Sequence, residues 1–472
     1  MTTSDPIPPR RTLTHTLRSR GAAPETLKPP NAVFTGNRHL QVRRVIIFAA
    51  FVTAYFLSQF LRQANAVIAT DIVSEFGLTA GQLGLMTSLF YLAFAAVQLP
   101  LGGLLDHHGP RAVTPLIMLI AVPGCLLFAS AHNFPALSAG RALVGLGMSG
   151  VLMGAYVAFG AWFPTERFST LAGLMMGLGS LGGLGAAAPL VWLNDAVGWR
   201  AVFYVAAGLV LLSAGAVAIW ARDPHRRPTQ TEPHEAKPQA DTTPPDTPMQ
   251  PSHTPNHPSN LGTVLRSGDF WRIALMFFWM PGIMLAIQGL WAGPFLHDVL
   301  GLSSLRIGAH LMLIPIGAVL GNLVSGFLGD RLGPGRVVYV AAACFFATQI
   351  GFMGLTLWPQ ETAVPVIYFM FGYTAGHQVL LLAHARQVFP YNVIGRALTA
   401  VNMFGFLGAT ALQWSMGSVI GSFARNAAGN YPPEAYLAAF GVAAGGLILT
   451  LIWYTPLAWA PRTRPPTPRP TS

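Results

Sequence analysis

The sequence predicts an all-α integral membrane protein whose twelve transmembrane helices form two pseudo-symmetric six-helix bundles. Three observations predict it. Of 472 residues, 52% are hydrophobic and only 10% charged, whereas a soluble protein carries about 25% charged residues. Apolar stretches recur twelve times, each near the ~20 residues that a bilayer-spanning helix needs. The chain also repeats itself: Gly77, Gly84, Gly102, Asp106 and Gly109 recur as Gly301, Gly308, Gly326, Asp330 and Gly333, each 224 residues later. Five identities in one register over 33 positions mark a duplicated unit.

Residues 1–43 are polar and rich in Pro and Arg. They contain no short apolar run with a cleavage site, so they read as a disordered cytoplasmic tail and not as a secretory signal. The twelve spans are predicted at 45–70, 82–104, 112–131, 138–161, 169–192, 200–220, 269–292, 305–328, 336–358, 363–387, 396–420 and 436–458. They give an N-terminal bundle over 44–220 and a C-terminal bundle over 269–459, with a linker at 221–268 and a tail at 460–472. The linker holds ten prolines within 221–260, together with His225, His234, His253 and His257. Such a composition reads as a flexible cytoplasmic connector. The irregular histidine spacing does not make it a metal site.

An even number of spans puts both termini on one side. Basic residues select the cytoplasm: Arg38, Arg43 and Arg44 precede the first span, and Arg462, Arg464 and Arg469 follow the last. Loops assigned inside hold Arg111, Arg167, Arg331, Arg336, Arg386 and Arg396, against Arg200, Arg306 and Arg425 outside. The net charge of +11 therefore reflects membrane anchoring. Nucleic acid is excluded as a partner because no basic patch carries interleaved aromatics. Cys125 and Cys344 fall inside apolar runs and offer neither a disulfide framework nor metal-ligand spacing.

The repeat carries a corner signature. The first copy runs Gly102-Gly103-Leu104-Leu105-Asp106-His107-His108-Gly109-Pro110-Arg111. The second runs Gly326-Phe327-Leu328-Gly329-Asp330-Arg331-Leu332-Gly333-Pro334-Gly335-Arg336. In each, the first glycine lets two helices approach closely, and the later glycine allows a sharp turn. The pattern resembles the loop signature of the major facilitator superfamily, G-x-x-x-D-[RK]-x-G-x-[RK]. It departs at His107, where that signature has a cation, and at Arg336, which is displaced by one. The resemblance covers roughly 44–459. It implies two parallel six-helix repeats with a substrate site between them, and secondary transport by alternating access. A weaker pair of corners, Phe163-Pro164 before Arg167 and Phe389-Pro390 before Arg396, fits the duplication. By its symmetry, Asp106 is expected to face the start of span eleven near Arg396, and Asp330 the start of span five near Arg167.

Polar groups inside spans are costly and mark function. On span one, Ser58, Gln59, Arg62 and Asn65 share a helical face, with Tyr55 nearby. The stretch 55–69 resembles the first helix of the organic-anion and organophosphate branch, where a buried arginine holds the substrate anion. The 224-residue offset places Ala286 opposite Arg62. A single arginine fits a monoanion such as a small carboxylate better than a doubly charged phosphate ester. Further cavity liners are Thr87, Tyr91 and Gln98 on span two, Gln288 and Trp291 on span seven, Tyr373 on span ten and Asn402 on span eleven.

Two groups are candidates for proton coupling. Arg141 opens Arg141-Ala142-Leu143-Val144-Gly145-Leu146-Gly147 on span four, which resembles the superfamily's R-x-x-x-G-x-G element; helix packing is the other role it could serve. His377 shares a face of span ten with Tyr373 and His384, and an imidazole titrates near physiological pH; a neutral, hydrogen-bonded histidine is the alternative. Met280 and Met284 on span seven read as helix filler and not as a soft-metal site. Span five is glycine-rich but lacks the Gly-Pro pair of drug/proton antiporters. No phosphate-cradling loop, nucleophile–base pair or metal constellation is present, so no enzyme activity and no cofactor are expected. The sequence thus reads as a monomeric symporter in the inner or plasma membrane, moving a small organic anion with a proton. Proton-coupled efflux of a drug or metabolite is the rival within transport, and a non-transporting sensor the rival outside it.

Overall fold

A computed structural model describes residues 38–164, 167–221, 264–389 and 394–459. The side chains of Asp106 and Arg396 lie outside that description, as does most of the linker at 221–268. The chain divides into two compact units. Of the first, Met1–Val42, only the helical residues Arg38–Val42 are described; the second, Arg43–Ser472, holds everything that follows.

The described chain is helical throughout. Ten of its helices are long and apolar enough to cross a membrane. Phe168–Gly185 and Ile394–Gly421 occupy the places expected of spans five and eleven. Local sequence sets the ends. Span one continues to Phe76, beyond the expected residue 70, until Gly77 closes it at φ 61°. Span two begins at Ala80 behind a capping box of Thr79 and Gln82, which satisfies the first free N–H groups of the helix. Asn133 caps span four by accepting from Ala136 N–H at 2.9 Å. Gly109 and Gly333 turn the two signature corners at φ 74° and 92°, a backbone that only glycine adopts without strain. Pro110 and Pro334 follow as the first residues of spans three and nine.

The first and fourth spans of each bundle are interrupted. Span one breaks at Ala64 between Arg38–Gln63 and Asn65–Phe76. Span four breaks between Met148 and Val151, and span ten between Gly376 and Val379. Span seven passes through a π-helical turn at Ile287–Trp291. Each interruption releases backbone groups that other atoms must satisfy.

Spans two and eleven form the longest seam between the bundles. Gly84 lies on it: a Cβ there would be 2.5 Å from the Gln413 carbonyl oxygen. Its repeat partner Gly308, on span eight, packs against Ala188 and Val191 of the opposite bundle. Beyond them Tyr431 Oη accepts from Ala80 N–H at 3.0 Å, and Arg425 donates to the Leu78 carbonyl. All of these contacts lie at the end away from the signature corners, hereafter the far end. At the corner end Gly102 and Gly326 are exposed, with no atom within 4 Å of a Cβ built on either. The close approach expected of these two glycines is absent because the bundles are closed on each other at the far end.

Acidic residues at the far end brace each bundle internally. Glu75, in the last turn of span one, accepts from Trp199 Nε1 at 3.1 Å and Arg200 at 2.6 Å, at the start of span six. Asp298, at the end of span seven, accepts from Tyr436 Oη at 2.7 Å, at the start of span twelve. In each bundle a carboxylate thus joins the end of the first span to the start of the sixth.

Candidate functional site

Arg62 sits near the middle of span one and is 9% exposed. Its guanidinium carbon lies 5.1 Å from the Phe94 ring centroid and 5.8 Å from that of Phe406. Phe94 belongs to span two and Phe406 to span eleven, and the two rings meet at 4.4 Å across the seam. Arg62 Nε is buried with no hydrogen-bond partner among the described residues, and no carboxylate pairs with the guanidinium there. One turn before it, Gln59 Oε1 is likewise buried and unpartnered. Tyr55 is 6% exposed and packs on Gly179 of span five.

Past the interruption at Ala64, whose backbone keeps helical angles of φ −54° and ψ −31°, Asn65 donates to Thr87 Oγ1 at 3.0 Å. Beside it Tyr91 is 0% exposed, with its hydroxyl unpartnered. Gln288 and Trp291 lie in the π-turn, and both are buried. Gln288 Nε2 donates to Gln63 Oε1 at 2.7 Å, and Trp291 Nε1 to the Gln413 carbonyl at 3.2 Å. Both bonds cross from one bundle element to another along the seam. Gln63, Phe94, Phe406 and Gln413 were not singled out from the sequence. An amide inside an apolar span was the available signal for Gln413; the two phenylalanines gave none, being ordinary residues in apolar runs.

Arg141 is 0% exposed and donates to the Leu61 carbonyl at 2.9 Å, just before the break in span one. Its guanidinium also lies 4.9 Å from the Phe90 centroid. The glycines that follow it allow tight crossings: Gly145 on the Phe90 backbone and Gly147 on Ala121. His377 lies at the break of span ten, where its Nδ1 is 3.0 Å from the Tyr373 carbonyl. A carbonyl only accepts, so Nδ1 carries the proton in this bond and Nε2 is left as the acceptor of the neutral ring. The Tyr373 ring meets the His377 ring at 5.3 Å. His384 makes a 2.6 Å contact with Tyr454 Oη on span twelve. Asn402 is half-buried, one turn before Phe406.

At the corners, Arg111 Nε donates to the Ala218 carbonyl at 3.0 Å, tying the first corner to span six. Arg331 lies over the Phe327 ring and Arg336 over Trp459. Asp330 and Arg167 are both exposed, and no ion pair joins them among the described residues. The matching expectation for Asp106 and Arg396 falls on side chains outside the described residues.

A buried, unmatched arginine at a seam between two helical repeats is an arrangement for holding an anion where two bundles part and close. Comparisons with known proteins agree with that architecture. The sequence profile of the Major Facilitator Superfamily matches residues 51–413. The chain is 26% identical over 366 residues to the gentisate transporter of Corynebacterium glutamicum, covering 74% of this chain and 77% of that one. It is 22% identical over 419 residues to the hexuronate transporter of Escherichia coli K12, covering 85% and 92%. Its fold matches that of a bacterial homologue of the human lysosomal transporter Spinster, solved in an inward-facing and occupied conformation, with a TM-score of 0.64 at 17% identity over 88% of this chain and 95% of that one. This chain is a multi-pass membrane protein of the Major Facilitator Superfamily, a secondary transporter of small molecules and not an enzyme.

Proposed function

We propose that the protein moves a small organic monoanion, a carboxylate, by alternating access, and that Arg62 holds the anion. The unmatched burial of Arg62 carries this reading. An arginine at the centre of a membrane helix costs at least ~2.5–3.5 kcal/mol. Cation–π contact with an aromatic ring offsets about 0.5–2 kcal/mol. An anion adds charge-assisted hydrogen bonds of about 1.5–3 kcal/mol each, enough to reverse the balance. The transporters compared above are named for gentisate and hexuronate, each a carboxylate, which supports the same class.

Gln59, Tyr55, Tyr91, Gln288, Trp291, Tyr373 and Asn402 are assigned to the walls of the same path. The bundles run over 44–220 and 269–459, joined by the linker at 221–268, with the corner end and both termini cytoplasmic. In that orientation the conformation described is inward-facing. The protein acts as a monomer in the inner or plasma membrane and cotransports a proton carried by His377. Arg141 serves coupling through the break it stabilises in span one. Gly102, Asp106, Gly109 and Arg111, with Gly326, Asp330, Arg331, Gly333 and Arg336, close the cytoplasmic end in the opposite state.

Uptake into proteoliposomes tests this reading, using carboxylates, phosphate esters and cationic dyes with and without a pH gradient. Accumulation of a carboxylate that rises with an inward proton gradient is expected. Transport of cationic dyes alone would remove the anion reading.

A further inference from the structure

Toward the far end from Arg62 lies a polar cluster that an anion-binding arginine leaves unused. Asn65, Tyr91 and Gln413 are each 0% exposed, and each presents a buried oxygen with no hydrogen-bond partner among the described residues. The orientation of the two amides is fixed by their other bonds. Asn65 Nδ2 donates to Thr87 Oγ1 at 3.0 Å, and the Thr87 hydroxyl donates onward to the Leu83 carbonyl at 3.0 Å, leaving Asn65 Oδ1 as its unpaired atom. Gln413 Nε2 donates to the Leu285 carbonyl at 3.2 Å, leaving Oε1 as the unpaired atom. Gly289, in the π-turn, sits among them. A Cβ there would be 2.9 Å from Tyr91 Oη, 3.3 Å from Gln413 Nε2 and 3.9 Å from the Arg62 carbonyl oxygen.

The cluster is uncharged and rich in acceptors. A cation is disfavoured by the neighbouring guanidinium and by the absence of any carboxylate among these residues. Its chemistry calls for an O–H donor. Register gives the distance. Asn65 follows Arg62 by three residues, Tyr91 precedes Phe94 by three, and Gln413 follows Phe406 by seven, all toward the far end. At 1.5 Å of rise per residue, the acceptors lie about 5–10 Å beyond the guanidinium.

We infer that Asn65, Tyr91 and Gln413 form a hydroxyl-reading subsite, so that the substrate is a monocarboxylate bearing a hydroxyl about 5–10 Å from its carboxylate. The inference rests on the assignment of Arg62 to the anion. Asn65 and Tyr91 belong to one bundle and Gln413 to the other. A hydroxyl held between them therefore ties the bundles together at the far end.

The full-length protein in proteoliposomes tests this with para-hydroxybenzoate, ortho-hydroxybenzoate and benzoate. These share one carboxylate and differ in the presence or reach of the hydroxyl. Wild type is expected to prefer the para isomer over the other two by at least about tenfold, because a site built to bond a hydroxyl discriminates against a ligand that lacks it. Tyr91→Phe removes one oxygen and keeps the ring, and Gln413→Leu removes another; each should bring the preference below about threefold. Wild type that takes all three equally, or takes none, overturns the subsite, as does a preference unchanged in both variants. Arg62→Gln separates the two readings. If it loses all three carboxylates while wild type shows no para preference, the anion site stands and the subsite falls. If it takes them as wild type does, the anion assignment falls and the subsite with it.

Discussion

Among the described residues neither of the buried guanidiniums of Arg62 and Arg141 has a carboxylate partner, yet their surroundings differ. Arg141 spends a hydrogen bond on the Leu61 carbonyl at 2.9 Å. Both lie over aromatic rings, Arg141 over Phe90 and Phe128 of its own bundle and Arg62 over Phe94 and Phe406 from the two sides of the seam. The first arrangement braces a break in span one, so Arg141→Ala is expected to lower stability by about 1–3 kcal/mol. Thermal denaturation in detergent measures this; unchanged stability with lost proton coupling would instead make Arg141 a coupling group. For His377 the bond from Nδ1 to the Tyr373 carbonyl leaves Nε2 for a proton. His377→Gln is expected to abolish uphill transport while counterflow exchange continues. Loss of both together would make it a binding or packing residue, and unchanged accumulation would remove it from the mechanism. The sequence exposed both residues because ionisable groups inside apolar spans are conspicuous. It hid Phe94 and Phe406, since phenylalanine in an apolar run looks the same whether it meets a lipid tail or a guanidinium.

At the level of elements, the repeated glycines divide into three kinds of work. Gly109 and Gly333 turn corners with positive φ. Gly84 and Gly308 let helices of opposite bundles touch. Gly102 and Gly326 face open space in this conformation. The all-helical membrane fold was legible from hydropathy, because burial in lipid demands long apolar runs, and ten described helices are long and apolar enough to span. The interruptions were not legible. Span one breaks at Ala64 with no glycine or proline there, and its carbonyl partner comes from Arg141, about eighty residues further along the chain; no local pattern encodes that contact. A Cβ at Gly84 would press on the Gln413 carbonyl at 2.5 Å, and one at Gly417 on the Ala80 carbonyl at 2.5 Å. Gly84→Leu is therefore expected to shift the protein away from the far-end-closed state. A cysteine pair replacing Gly81 and Ser418, whose positions are in contact here, should cross-link less in that variant; equal yield would show that the seam tolerates the side chain.

For the molecule as a whole, closure at the far end and exposed corner glycines describe one of the two states that alternating access requires. The other state must bring the corners together. Cysteines at Asp106 and Arg396 are expected to cross-link only when the corner end closes, and failure to do so in any condition would contradict the symmetric corner contact. In the proposed function a ligand at Arg62 joins these states to transport, because the aromatic neighbours of Arg62 come from both bundles. The guanidinium presents five donors in a planar fork that matches a carboxylate, a geometry lysine lacks. The most direct measurement is the affinity of the purified protein for an organic monocarboxylate, by calorimetry, in wild type, Arg62→Lys and Arg62→Ala, with thermal stability as the control for folding. A loss of about tenfold or more in the lysine variant, and a larger one in the alanine variant, is the predicted result. Normal carboxylate binding by a folded Arg62→Ala protein, or binding confined to neutral or cationic ligands, would contradict it.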